Sequence, residues 1–477
     1  MEILLIVPNF LPLSDLFISQ RHPNDIVAFE RGKPVDWGTF TKQVAGLCLE
    51  LKREPQGQWL VASQSTYAFA VSLCALWQTD HVAVLPPNLQ PGTLAEIAGE
   101  FRGIVSDSPL RIRGLPLLDP TAFSSRQWKW KKPDKGKVSL KLYTSGSTGN
   151  RKAIAKTLAN LEEELAAQEA TFGGRLGDCA VLSTVSHQHI YGLLFRLLWP
   201  LCAGRPFVSE TPLLWKELIL ARKSLSAAVL VSSPAHLDHA FAPGKRKAPF
   251  DCRVIFSSGA PLKKQTAKAI REGWGLPMIE VFGSTETGGV GWRIQNGRRD
   301  GEYWMPLPGV SVSADAGDGN RLRVLSPFAT PSEDDGWCAM GDKAKVRADG
   351  RFSTDGRVDR VIKIAGKRLS LDDMESRLNH HPWVSRTALT VFARGNSGRR
   401  YVGAVVALNR QGKKRLREMG RLAADRKIRT DLKNHFDAVM LPRYFSYVDA
   451  LPVNSQGKIS RDALKALFQG AAFSEAP

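Results

Sequence analysis

Several common devices are missing from this chain. Its 477 residues contain six cysteines, at 48, 74, 179, 202, 252 and 338, and no two of them form a Cys-x-x-Cys pair. Such scattered thiols read as reduced cysteines of a cytoplasmic protein, neither a disulfide framework nor a zinc site. The nine histidines include no His-Glu-x-x-His pattern, so no structural metal is expected. No apolar run approaches the ~20 residues that cross a bilayer, so no membrane span is expected. Met1 to Val7 is apolar but lacks a basic flank and a small-residue cleavage site. That predicts a buried first segment rather than a signal peptide. Internal repeats and low-complexity tracts are also absent, which excludes solenoids and coiled coils.

Positive charge is what the chain has in excess. Lys and Arg total 66 against 46 Asp and Glu, a net charge of +20. From Arg357 to Pro477 there are 24 basic and 11 acidic residues, so this last part carries +13 of the total. The excess implies an acidic partner: a nucleic acid, a phosphorylated small molecule, an anionic membrane face or an acidic protein. Composition is otherwise that of a globular protein, with 43% hydrophobic and 23% charged residues. The length suggests about two to four structural units.

Helical and strand-like patterns alternate to about residue 290. The stretch 40–52 has helical spacing, and 81–85 is a short β-branched run closed by Pro86-Pro87. This is the pattern of an α/β protein with buried strands. The basic stretch from Arg126 to Lys141, with Trp128 and Trp130, reads as a solvated loop leading into a strand rather than a binding patch. Around 300–356 the pattern changes to short strands and turns, and a compact mixed α/β segment follows Arg357.

The strongest local signal is Leu142-Tyr143-Thr144-Ser145-Gly146-Ser147-Thr148-Gly149-Asn150-Arg151-Lys152, after an alternating strand and before a helical run at 161–167. Its glycines let the backbone approach a phosphate, its hydroxyls and N–H groups donate, and Lys152 adds charge. A Walker A loop is absent. A flexible Ser/Gly turn is the plainer alternative for this stretch taken alone.

With its companions, taken in order, this loop resembles the adenylate-forming superfamily of acyl-CoA synthetases, aryl-acid ligases and peptide-synthetase adenylation domains. It is similar to their Thr-Ser-Gly-Ser-Thr-Gly-x-Pro-Lys-Gly signature, with Arg151 in place of proline and Ala153 in place of glycine. Phe256-Ser257-Ser258-Gly259-Ala260-Pro261-Leu262 resembles the segment whose backbone packs on adenine. Val281-Phe282-Gly283-Ser284-Thr285-Glu286 resembles the aromatic-Gly-x-Thr-Glu motif. By that resemblance Phe282 would cover the adenine, Thr285 would touch phosphate and Glu286 would hold Mg2+, a hard cation suited to a carboxylate oxygen. Asp335-Gly336-Trp337 followed by Gly341-Asp342 is similar to another motif, in which Asp342 would accept the ribose hydroxyls. Gly356 to Gly366 looks like the junction between domains: Arg357 and Lys363 would reach the nucleotide, Asp359 would be the hinge, and Gly366 would border the thiol channel. Leu451 to Arg461 resembles the terminal Gly-Lys loop, whose Lys458 would bridge the carboxylate and the α-phosphate in the transition state.

Ser186-His187-Gln188-His189-Ile190-Tyr191-Gly192 resembles the acyl-pocket motif. The implied pocket comprises His189, Ile190, Tyr191, Ser257, Gly283 and Gly288, with His189 beside the carboxylate; an ordinary buried His pair is the alternative. Amino-acid-activating relatives place Asp where Ile190 stands, and a buried ammonium without that counter-charge would be costly. The His-Ile-Tyr order looks like that of ligases for hydroxylated aromatic acids, and the compact length resembles aryl-acid ligases of aryl-polyene-type pathways. The basic run Lys413 to Arg429 reads as one or two amphipathic helices, a solvated face by default or a docking surface for an acidic carrier protein.

The resemblance implies a large N-terminal domain of αβ subdomains with a small β-barrel-like part over 1–356, and a small mobile α+β domain over 357–477. It implies a cytoplasmic ligase that uses MgATP to adenylate a carboxylic acid. The acyl group would pass to the phosphopantetheine thiol of an acidic acyl carrier protein; the alternative is a medium-chain or aryl acyl-CoA synthetase that uses free CoA. A basic nucleic-acid-binding protein with a vestigial nucleotide site is a remote alternative, supported by charge alone, and nucleic acid is not expected as a partner.

Overall fold

The computed structural model describes residues 10–145, 151–212, 214–223, 225–240, 252–295, 299–315, 317–329, 335–357, 360–393, 400–452, 464 and 466–468. The chain divides into two compact units, one drawn from 1–87, 98–144 and 153–358, the other from 88–97, 145–152 and 359–477. Among the described residues no helix is long and apolar enough to cross a membrane.

The first unit is built on two sheets. In the six-stranded sheet the order is Leu117–Leu118, Gly103–Val105, Gln58–Val61, Val82–Leu85, β1 (Val138–Ser145) and β2 (Arg151–Thr157). The Ser/Gly loop therefore leads into a second strand, and the helix α1 (Leu158–Gln168) begins only after it, capped by Thr157. Ile154 and Lys156 are buried while Ala153, Ala155 and Thr157 are not, the period of two that suits a strand. The nine-stranded sheet contains β3 (Ala180–Ser183), β4 (Ala228–Ser232), β5 (Ile255–Ser257) and β6 (Met278–Ser284), parallel and adjacent in that order, and β7 (Gly288–Arg293) returns antiparallel to β6. Helix Thr66–Gln78 is buried on every side, as its near-continuous apolar sequence requires. The expected helix over 40–52 forms as Trp37–Leu51, capped where Asp36 accepts the Thr39 N–H at 2.7 Å.

The basic stretch before β1 is a loop tied down at several points. Trp130 stacks on Phe17 at 4.4 Å, and Lys132 pairs with Asp15 at 2.6 Å. The small β part is a four-stranded antiparallel sheet of Ser311–Asp315, Arg321–Leu325, β8 (Cys338–Val346) and β9 (Phe352–Arg357).

In the second unit, β10 (Val361–Ile364) and β11 (Lys367–Ser370) form a hairpin through Ala365 and Gly366, both at positive φ. A three-stranded sheet of Val384–Ala393, Arg400–Leu408 and Tyr444–Val448 carries its core. The basic run forms two helices, α2 (Arg410–Met419) and α3 (Arg421–Leu432), parted by Gly420 at φ 79°. Lys413, Lys414, Arg415, Arg417, Arg426 and Lys427 are exposed there, while Ala424, Ile428 and Leu432 of α3 are buried.

Candidate functional site

The parallel run β3-β4-β5-β6 brings four loops to one edge of the sheet, at the carboxyl ends of its strands. Crevices at such edges are where open α/β sheets bind ligands. After β5, Ser258 donates its hydroxyl to the Val281 carbonyl at 2.7 Å, and the buried Glu280 accepts the Leu262 N–H at 3.1 Å. Gly259 between them sits at φ 90°, a conformation glycine adopts without strain. The segment Ser257 to Leu262 is thus laced to β6, with Ser257 buried and Ala260 half-buried.

The β6–β7 turn is tight and doubly tied. Ser284 and Thr287 exchange N–H to hydroxyl bonds at 3.3 and 3.1 Å, and their hydroxyls lie 3.0 Å apart. A Cβ on Gly283 would stand 2.3 Å from the Gly288 carbonyl oxygen, so no side chain fits there. Phe282 packs on Trp304 at 5.3 Å and edge-on to Phe352 at 5.8 Å. Thr285 and Glu286 therefore occupy the half-buried tip of a fixed hairpin. Lys156 of β2, 1% exposed, donates to the Glu286 carbonyl at 3.0 Å and to the Phe328 carbonyl at 2.6 Å. Glu164 of α1 accepts the Gly289 N–H at 2.7 Å, and burial pushes its carboxyl up to about 7.

On the loop after β3 the two histidines differ sharply. His187 is buried; its Nε2–H donates to the Ser63 carbonyl at 3.0 Å, leaving Nδ1 to accept from the Thr66 hydroxyl at 2.9 Å. Burial holds its pKa down at about 3, so it is a neutral structural imidazole. His189 is exposed and precedes a short helical turn, with Ile190 and Tyr191 half-buried behind it. The Tyr191 ring packs on Phe195 at 5.1 Å. Its hydroxyl is buried beside the Ser232 backbone without a hydrogen bond of good geometry.

Two π-helical segments, Glu169–Gly173 and Leu193–Leu198, underlie this region. Such segments recur at functional sites. Phe172 and Phe195 from them, with Trp199 just after the second, close on Phe256 at 5.3, 5.1 and 5.8 Å. Arg196 is buried in the second segment and donates to the carbonyls of Val185, Ser209 and Glu210 at 2.8, 2.6 and 2.8 Å, anchoring the loop that carries His189. Desolvation lowers its pKa to about 9.

Of the remaining expected residues, Thr144 and Ser145 end β1, and Lys152 is exposed on β2. Asp342 of β8 stands opposite Arg357 of β9 in register. Lys363 lies on β10, and Gly366, at φ 82°, completes the β10–β11 turn in the second unit. Gly146, Ser147, Thr148, Gly149, Asp359 and Lys458 lie outside the described residues. Sequence reasoning did not single out Lys156, Glu164 or Arg196. The available signal for Lys156 was its strand parity with Ile154, which is buried.

Among the described residues no group of three or more His, Cys, Asp or Glu side chains converges to cage a metal. The donor set at the hairpin tip, one carboxylate and one hydroxyl over glycine backbone, fits Mg2+, which takes one or two carboxylates and completes its shell with phosphates and water. A cleft lined by Trp77, Asp80, His81 and Lys137 among others includes none of these groups.

Residues 38–323 match the family described as AMP-binding enzyme. An L-proline–(L-prolyl-carrier protein) ligase of Pseudomonas fluorescens is 28% identical over 362 residues, 69% of this chain and 68% of that protein. A 4-coumarate–CoA ligase of Rhodobacter capsulatus is 28% identical over 330 residues, 66% of this chain and 73% of that protein. In fold the chain is similar to o-succinylbenzoate CoA synthetase from Bacillus subtilis, with a TM-score of 0.81 and 18% identity, over 96% of this chain and 98% of that one.

Proposed function

The chain belongs to the AMP-binding enzyme family, whose members similar to it are AMP-forming acid–thiol ligases, and we propose that it activates a hydroxylated aromatic acid such as 4-hydroxybenzoate in the cytoplasm. The acid carboxylate attacks the α-phosphate of ATP, an acyl-AMP forms and pyrophosphate leaves. A phosphopantetheine thiol on an acidic acyl carrier protein then displaces AMP to give the thioester. The observation that carries this reading is the placement of Ser257 to Pro261, Phe282 to Glu286 and Ser186 to Tyr191 at the carboxyl ends of neighbouring parallel strands.

In this reading Gly259, Ala260, Pro261 and Phe282 enclose the adenine, Asp342 takes the ribose hydroxyls, and Arg357 and Lys363 reach the nucleotide. The Thr144 to Gly149 loop, Lys152 and Thr285 hold the phosphates, and Glu286 holds Mg2+. Bound there, Mg2+ neutralises charge on the phosphates and helps hold them for in-line attack. Lys458 brings carboxylate and α-phosphate together, and a turn of the small domain about Asp359 then removes it and admits the thiol past Gly366. His189, Ile190, Tyr191, Ser257, Gly283 and Gly288 line the acid. Ile190 offers no counter-charge to an ammonium, which argues against an amino acid as substrate although one relative's name specifies proline.

Free CoA is the second reading of the acceptor, favoured by the relative named as a CoA ligase. The exposed cations of α2 and α3 support a carrier protein, since a protein partner engages a broad charged face. Carboxylate-dependent ATP–pyrophosphate exchange tests the first step, with benzoates, cinnamates, medium-chain fatty and 3-hydroxy acids and proline. Exchange with hydroxylated aromatic acids supports the assignment, whereas exchange with fatty acids or proline alone refutes it. Reversing Lys413 and Lys414 to Glu should weaken turnover with an acidic carrier and leave turnover with CoA unchanged.

A further inference from the structure

Lys156 and Glu164 are buried charges for which the reaction as outlined has no use. Both belong to the segment that follows the Ser/Gly loop, Lys156 near the end of β2 and Glu164 in α1. Their exposures are 1% and 2%. Burying an ammonium or a carboxylate is expensive, and an apolar side chain of similar volume would fill such a position at lower cost. Local packing therefore does not account for them.

What they touch does. The Lys156 ammonium donates to the Glu286 carbonyl at 3.0 Å and the Phe328 carbonyl at 2.6 Å. Glu164 takes the Gly289 N–H at 2.7 Å. Gly288 beside it is at φ 71°, and a Cβ there would stand 2.5 Å from the second Glu164 oxygen. The two side chains thus grip the β6–β7 hairpin on either side of Thr287 and Gly288, one through the main chain of Glu286 itself. Asn160 of α1 secures the same framework by donating to the Pro327 carbonyl at 2.9 Å.

We infer that Lys156 and Glu164 are positioning residues that hold the Glu286 carboxylate where it meets the metal ion of the bound nucleotide. This rests on the reading of Glu286 as the metal carboxylate. Outer contacts of this kind orient a ligand that they do not replace, and losing one costs about tenfold to a hundredfold in metal affinity. In sequence, Lys156 and Glu164 follow the Ser/Gly loop, so one stretch of chain carries both that loop and the side chains that grip the hairpin of Glu286.

The test compares wild type, Lys156→Met and Glu164→Gln by calorimetric titration with MgATP and with ATP in EDTA, and by the Mg2+ concentration that half-saturates pyrophosphate exchange. Lys156→Met is expected to weaken MgATP binding about tenfold or more and to raise the Mg2+ requirement likewise, with ATP binding in EDTA unchanged. Glu164→Gln keeps the shape and an acceptor for Gly289, and should shift the same two quantities in the same direction by a smaller factor. It decides the matter if Lys156→Met does not fold. Equal weakening of ATP binding with and without Mg2+, or an unaltered Mg2+ requirement in a folded variant, overturns the proposal. Wild type that binds ATP no better with Mg2+ than without overturns the reading of Glu286, and the proposal with it.

Discussion

His187 gives the sharpest physical prediction, because one group dominates its own pH dependence. In the folded protein its pKa is depressed to about 3, from an ordinary value of 6.5, because the ring is buried between Ser63, Thr66 and Phe69. When the chain unfolds the imidazole regains its ordinary affinity for a proton. Below pH 6.5 the unfolded state therefore binds a proton that the folded state refuses, and stability falls as pH falls. The window runs from 6.5 down to about 3. At pH 5 this one residue costs about 2 kcal/mol relative to pH 7.5, and near pH 3 about 4 kcal/mol. His187→Gln can keep the donor to Ser63 and an acceptor for Thr66 but does not titrate. Urea unfolding of both proteins at pH 7.5 and pH 5 should show the variant gaining about 2 kcal/mol on wild type across that interval. Parallel pH dependences would refute the argument, since a solvated or charged imidazole would behave that way. Because His187 lies two residues from His189, the variant should also raise KM for the acid more than it lowers kcat at pH 7.5.

Three further outcomes follow from other parts of the first unit. Arg205 donates to both oxygens of the buried Glu169, at 2.6 and 2.8 Å, so Arg205→Met strands a carboxylate and should cost about 3–5 kcal/mol. Adding Glu169→Gln should recover much of that loss in thermal unfolding, and strictly additive losses would contradict a coupled pair. Gly283→Ala places a methyl group 2.3 Å from the Gly288 oxygen; about 1–3 kcal/mol of strain at the hairpin should abolish pyrophosphate exchange while circular dichroism stays native. All six cysteines are buried and free, so Ellman's reagent should titrate none in the native protein and six in denaturant, and any fast native thiol would be at odds with the fold.

The candidate site and the interior differ in what sequence could reveal, and the reason is the range of the forces involved. Gly259 and Gly283 are needed by backbone geometry within a few residues, so a glycine at each of these strand edges is legible in sequence. The helix over 40–52 was legible because its apolar spacing decides its fate locally. Helix α1 shows the opposite. Its run Glu162-Glu163-Glu164, with Gln168 at its end and Glu169 just after, is polar in sequence, yet Glu162, Glu164, Gln168 and Glu169 are all buried. Their partners are Ser14, Gly289, Trp199 and Arg205 for three of them, and none is within a helical turn in sequence. Burial of a charge is settled by a distant donor that local periodicity cannot see. The same holds for Lys156, whose acceptors lie on turns more than a hundred residues away. Motifs mark the residues proposed to meet the substrate because their backbone is set by short-range geometry. The groups that hold them still are chosen by long-range complementarity, so they emerge only once the chain is folded.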